Sequence, residues 1–167
     1  MDYITTQSNN RIHRGSRIKG SSNIQIQGNT LVEECVIDAH EAIPDGSPTI
    51  VIGKYCILGR GVELKPPVST SGVHPSAVGS YVLIGENCKI ASAAIGSRVI
   101  VGEGCVLGNG SIIHDCCILD PGLVVPGKYV VPPFSHVLKW GDAFKVRHLN
   151  ESHKLRIELL ARRRVIA

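Results

Sequence analysis

Aromatic residues make up only 4% of the 167-residue chain: four Tyr, two Phe and one Trp. A wide layered core, as in an ordinary sandwich or helical globule, is filled largely by such rings, so their scarcity disfavours those classes. No run approaches the roughly 18 consecutive apolar residues of a membrane span. Residues 1–10 are polar with no apolar leader segment, so the expectation is a cytosolic, cytoskeleton-associated protein without membrane insertion. The six cysteines, at 35, 56, 88, 105, 116 and 117, contain no CxxC pair. Without a route to an oxidising compartment they are expected as reduced, packed thiols. A basic stripe interleaved with aromatics is also lacking, which argues against a nucleic-acid partner.

What the chain does contain is 43% hydrophobic residues, mainly 19 Ile, 18 Val and 12 Leu, with 18 Gly and 9 Pro. β-Branched residues and turn formers in these amounts predict short strands joined by tight turns. The net charge of +4 is uneven: residues 1–20 carry +3, residues 21–138 carry −4 and residues 139–167 carry +5. Basic ends around an acidic body suit a protein that meets more than one partner.

Aliphatics recur every six residues at Ile95, Val101, Leu107, Ile113, Leu119, Val125 and Val131. Upstream, Val78, Ile84 and Ile90 keep the period, Ile52, Leu58 and Leu64 form another block, and Ile26 with Val32 begins a first one. A small or β-branched residue fills the fifth position of each hexad, as at Cys56, Val62, Val82, Cys88, Ala94, Val99, Cys105, Ser111 and Cys117, with Leu123 the exception. Six is a multiple of the strand period, so facing is preserved from repeat to repeat. Three hexads make one triangular coil, and coils stack about 4.8 Å apart around a column too narrow for rings. The expected fold is all-β, a left-handed parallel β-helix of hexapeptide repeats with a C-terminal α-helix. It is an exception to the right-handed crossover rule. Glycines after the aliphatic, such as Gly53, Gly85 and Gly102, are expected where a corner demands unusual φ values.

Two segments, 38–48 and 65–75, break the period and are expected as protruding loops. The step from Ile90 to Ile95 is five residues, a deletion at a corner. The run Val131-Pro132-Pro133-Phe134 should end the ladders, since two prolines cannot donate. Residues 1–138 are therefore expected as the β-helix and 139–167 as a C-terminal segment with an amphipathic helix over 151–164. Asn150 would cap it, Leu155, Leu159 and Leu160 would form its packing face, and basic residues would load its later turns.

The motifs of chemistry are sparse. In gamma-class carbonic anhydrases, metal-binding histidines stand at the third position of one hexad and the second of the next; here Glu86 and Ala91 occupy those places. The Arg-Gly-Asp of that family is replaced by Asp38-Ala39-His40. His114, Cys116 and Cys117 lie too close on one strand to converge on a metal, so Cys117 is expected inward, Cys116 and His114 outward or at a corner. His74, before Pro75 in a loop, could act as an acyltransferase base across a subunit interface, but no Gly-rich oxyanion turn or second carboxylate is spaced to assist it. No catalytic residue, metal or cofactor is assigned.

The segments 50–67 (IVIGKYCILGRGVELKPP), 93–97 (AAIGS), 116–120 (CCILD) and 130–134 (VVPPF) closely resemble the dynactin subunit 5 family, left-handed β-helix subunits of the dynactin pointed-end complex. The resemblance covers roughly residues 22–138. It implies a non-enzymatic subunit that helps cap the actin-related filament and link dynein to cargo such as endosomes. Implied partners are subunit 6, itself a β-helix, the actin-related pointed-end subunit and subunit 4. Lys65, Pro66, Pro67 and Val68 in the loop, and Pro132, Pro133, Phe134 and Trp140 at the end, are the expected partner contacts. The competing expectation is a homotrimeric gamma-class carbonic anhydrase-like or acyltransferase enzyme.

Overall fold

A computed structural model describes residues 2–166. Three parallel ladders build a triangular prism. The first face stacks Arg11–His13, Leu31–Val32, Ile57–Leu58, Leu83–Ile84, Ile100–Val101, Ile118–Leu119 and Ser135–Trp140. Arg17–Lys19, Val36–Asp38, Glu63–Leu64, Lys89–Ile90, Val106–Leu107 and Val124–Val125 form the second. The third consists of Ile24–Gly28, Ile50–Lys54, Ser76–Val78, Ala94–Ile95, Ile112–Ile113 and Val130–Val131. The chain visits the faces in turn, so six complete coils of a left-handed β-helix precede a seventh that begins at Ser135.

Register follows the six-residue period. Ile84 stands over Val101 and Val101 over Leu119; Ile95 stands over Ile113 and Ile113 over Val131. Each of the seven phased aliphatics from Ile95 to Val131 is at most 2% exposed. A second inward column holds Cys56, Val62, Val82, Cys88, Val99, Cys105, Cys117 and Leu123, all buried. At the five-residue step it is Ser92, not Ala94, that turns inward: Ser92 is buried and Ala94 only half-buried. Ser92 is held by the Oγ of Ser111 at 2.8 Å, while Ser76 Oγ donates to its carbonyl, so the corner is polar but satisfied.

The glycines after the aliphatics do not serve φ. Positive φ falls two residues later, at Gly61, Tyr81, Asn87, Arg98, Gly104, Gly110, Cys116, Gly122, Lys128 and Phe134. Gly53, Gly85 and Gly102 are needed for close approach instead: a Cβ there would lie 2.5, 2.7 and 2.5 Å from backbone atoms of the next coil.

The β-helix starts earlier than the first phased block. Ile12 and Ile18 belong to a complete first coil, which the sequence obscures because a short 3-10 turn over Ser21–Asn23 precedes the third strand. Nor do the prolines end it. The N–H at the second position of a hexad bonds to the following coil, as Gly102 does to the Leu119 carbonyl at 2.9 Å. Pro126 and Pro132 fill that position in the last complete coil, where no coil follows on their faces. The chain then re-enters the first face: His136 and Val137 pair with Ile118 and Leu119. Strand Ser135–Trp140 runs through residue 138 and turns back as an antiparallel hairpin with Ala143–His148.

Both irregular segments leave the corner between the second and third faces. Asp38 still pairs with Lys19, and the first loop follows it, anchored by buried Ala39 and Ile43. The second, 65–75, contains a small hairpin of Val68–Ser69 with Gly72–Val73.

Helix α1 spans His153–Ile166, and Asn150 Oδ1 accepts from Ser152 N at 2.9 Å just before it. Its packing face is not the leucine face. Ala161 and Val165 are buried against Ile57 and Leu83 on the first face, with Tyr55 and Tyr81 alongside, and Ile157 one turn earlier is buried as well. Leu155, Leu159 and Leu160 are 62%, 56% and 40% exposed. Ala161 at the centre of an i, i+4, i+8 stripe lets the helix lie close to a flat sheet, which the bulkier leucines would prevent.

Candidate partner-binding surfaces

The interior has no room for a substrate, because inward side chains of successive coils stack directly on one another. Chemistry would have to reside on faces, loops or ends.

The cysteines are packed thiols. All six are free and buried. The thiols of Cys56, Cys88, Cys105 and Cys117 each donate to a carbonyl of the following coil at 3.1–3.2 Å. Burial pushes Cys35 up to about 12 and Cys56 and Cys117 up to about 11. Cys88 is pushed up by the neighbouring Cys105 thiol and by burial. Cys116 takes a left-handed corner position at φ 58° and is buried there, and its thiol too is pushed up by burial. Thiols raised in this way are poor nucleophiles and poor metal ligands, whereas Cys105, lowered by its bond to Cys88, is shielded by its burial alone.

Among the described residues no three His, Cys, Asp or Glu side chains gather as a metal site. His74 Nε2 lies 2.6 Å from Ser69 Oγ and 3.4 Å from Ser71 Oγ, so its ring ties the exposed loop together. No carboxylate among the described residues bonds to it. His40 Nδ1 meets Asp38 at 2.5 Å on the surface, a bond that raises the His40 pKa and lowers that of Asp38. His136 Nε2 lies 2.9 Å from Asp120, tying the seventh coil to the sixth.

Of the expected contact residues in the loop, Lys65 and Val68 are exposed, whereas Pro66 and Pro67 are buried and shape the loop from within. Asn109 clamps it to the fifth coil: its amide donates to Val68 O and accepts from Val68 N, both at 2.8 Å. Lys65, Pro66 and Val68 line a groove of about 410 Å³ with Lys89 and Val106. Nothing in the periodic pattern marks Asn109, since its hexad position carries no required side chain.

At the other end, Pro132 and Pro133 are exposed, Phe134 is half-buried at φ 53°, and Trp140 stands 61% exposed at the hairpin tip. Lys145 Nζ lies 3.5 Å from the Trp140 ring centroid, orienting the indole. These residues contribute nothing to the groove under the loop.

A further cluster, unmarked in the periodicity, fixes α1. The Tyr55 and Tyr81 rings stack at 5.6 Å, the Arg162 guanidinium lies 4.9 and 5.3 Å from them and donates to Tyr81 Oη at 2.8 Å. Arg98 Nε donates to Glu158 at 3.0 Å, and Arg11 donates to the Val165 carbonyl. The tyrosines sit at the left-handed fourth position of their hexads, which turns their rings outward.

The family model described as "Dynactin subunit 5" matches residues 1–159, further at both ends than the motif-bearing segments. A curated relative, "Dynactin subunit 5" of Dictyostelium discoideum, is 32% identical over 95 residues, 54% of this chain and 46% of that protein, so the matched stretch spans less than half of the relative. Solved structures share the fold at low identity. AntD, an N-acyltransferase from Bacillus cereus, aligns with TM-score 0.69 at 12% identity over 91% of this chain and 87% of its own. Perosamine N-acetyltransferase from Caulobacter crescentus aligns with TM-score 0.64 at 18% identity, covering 83% and 56%. A hexapeptide transferase family protein from Anaplasma phagocytophilum gives 0.56 at 16% identity, covering 94% and 89%.

Proposed function

This chain belongs to the dynactin subunit 5 family, and from that premise we propose that it is a non-catalytic structural subunit of the dynactin pointed-end complex, helping cap the actin-related filament and link dynein to cargo such as endosomes. It works in the cytoplasm on the cytoskeleton. Its partners there are the subunit 6 β-helix, the actin-related pointed-end subunit and subunit 4.

The observation that carries this reading is the solid prism itself. Its polar corner groups are bonded internally, its thiols are buried, and among the described residues the ladders of its second and third faces end on strands with no outer neighbour. Such edges pair with another β-structure. The mechanism is therefore edge-to-edge stacking on a second β-helix, with exposed Lys65, Val68, Pro132, Pro133 and Trp140 offered to further subunits and Pro66, Pro67 and Phe134 holding those surfaces in shape.

Affinity purification of the tagged chain from cells, read by mass spectrometry together with metal analysis, tests the reading. Recovery of actin-related and β-helix companions with a metal-free chain is expected. Stoichiometric zinc, or acetyl transfer from coenzyme A by the purified chain, overturns it in favour of a homotrimeric enzyme.

A further inference from the structure

The two ends of the prism are built differently. At the C-terminal end, the rings of Tyr129 and Phe144 meet edge-on at 5.2 Å and pack against the core, and the hairpin that carries Phe144 extends the first face past the last complete coil. The aliphatic column there is closed: Leu123, Val125, Val131 and Val137 are at most 1% exposed.

Among the described residues the N-terminal end has no such plug. Ile12, Ile18, Ile24 and Ile26, the inward residues of the first coil, are only half-buried. Together with Ser21 and other small polar residues they line a depression of about 270 Å³ that reaches Ile37 of the second coil. The first face has an outer antiparallel strand, Tyr3–Thr5, but the second and third faces end on Arg17–Lys19 and Ile24–Gly28. Arg17 and Lys19 are exposed on this rim, and the first 20 residues carry a net +3.

We infer that the N-terminal end is the stacking face, and that its occupant is the end coil of a different β-helix with an aliphatic interior and an acidic rim. This rests on the structural-subunit reading and names the surface that reading leaves open. A lone strand satisfies one edge and leaves the depression wet. A β-helix coil brings strands to both open faces at the same spacing of about 4.8 Å and aliphatic side chains onto the isoleucines between them. Charge decides against a second copy: two such ends oppose like rims, which is unfavourable, and in a head-to-tail stack the plugged C-terminal end would meet the depression.

The test uses the tagged full-length chain recovered with its companions. Ser21→Trp fills the mouth of the depression, and the pair Arg17→Glu with Lys19→Glu inverts the rim; all three positions are exposed. Each variant is expected to lower recovery of a β-helix companion tenfold or more with an unchanged melting temperature. Lys128→Glu with Val130→Glu, on the last complete coil, should leave recovery within twofold. Zero-length lysine–carboxylate cross-linking should join Lys19 to an Asp or Glu of that companion. Loss confined to the Lys128/Val130 variant, cross-links from Lys128 in place of Lys19, or self-association through Lys19 overturns the inference while leaving the subunit role intact. Recovery of no β-helix companion by the wild-type chain overturns the assembly reading itself.

Discussion

Substitution of two glycines in one turn separates close approach from backbone strain. Gly102 has an ordinary φ, but a Cβ there would lie 2.5 Å from Pro121 N and 2.7 Å from Pro121 Cα, backbone of the coil above. Gly104, two residues on, has φ +68° and nothing within 4 Å of its hypothetical Cβ. Gly102→Ala must part the stacked coils and stretch the 2.9 Å bond from its N–H to the Leu119 carbonyl. Overpacking of this kind destabilises by about 1–3 kcal/mol, and a weakened ladder bond adds about 1 kcal/mol. For a chain of this size a loss near 3 kcal/mol lowers Tm by roughly 6–12 °C. Gly104→Ala meets only the left-handed penalty of about 1–2 kcal/mol. Gly104→Asn is milder still, since Asn87 holds φ 58° at the same position one coil below. Urea unfolding of the three variants gives the ordering: Gly102→Ala far below wild type, Gly104→Ala intermediate, Gly104→Asn near wild type. If Gly104→Asn is as damaging as Gly102→Ala, close approach is not what the glycine column serves.

Other perturbations follow from the same packing. Ile113→Asp places an unpaired carboxylate between Ile95 and Val131 and should abolish cooperative folding, seen as loss of the thermal transition; a folded variant means that the register is wrong. Ala161→Glu should detach α1 from Ile57 and Leu83, read as loss of helical circular dichroism or fast amide exchange over 153–166, whereas Leu155→Ser with Leu159→Ser should leave both unchanged. The buried thiols have folded pKa values raised from 9.0 to about 11 at Cys56 and Cys117. The unfolded chain therefore loses protons first, so the stabilisation is fully present below pH 9 and is lost as pH rises toward 11, measurable as a falling urea midpoint. At pH 8 a disulfide thiol reagent should find the six cysteines only after unfolding; rapid reaction of the native chain contradicts the packing.

The prism was legible because its period is set by covalent length: six residues turn one corner, and aliphatics in that phase have nowhere to go but inward. Most of the misreadings share one cause, that spacing records the period but not what each side chain touches. Gly102 looked like a φ glycine because corners attract them, whereas the structure places the φ demand on Gly104. The prolines at 132 and 133 looked like a terminus, yet Pro132 reports only that no coil follows on its own face. In α1, hydrophobicity favoured Leu155, Leu159 and Leu160, but a flat face selects Ala161 by size. The Asn109 clamp and the Arg162 stack on Tyr55 and Tyr81 join residues 41 to more than 100 positions apart, separations no local pattern encodes.

Native mass spectrometry of the chain isolated with its companions from cells separates a subunit of an assembly from a self-sufficient enzyme. A metal-free chain is expected within one assembly that also holds actin-related and β-helix subunits. A homotrimer of this chain alone, carrying zinc or coenzyme A, contradicts the subunit role.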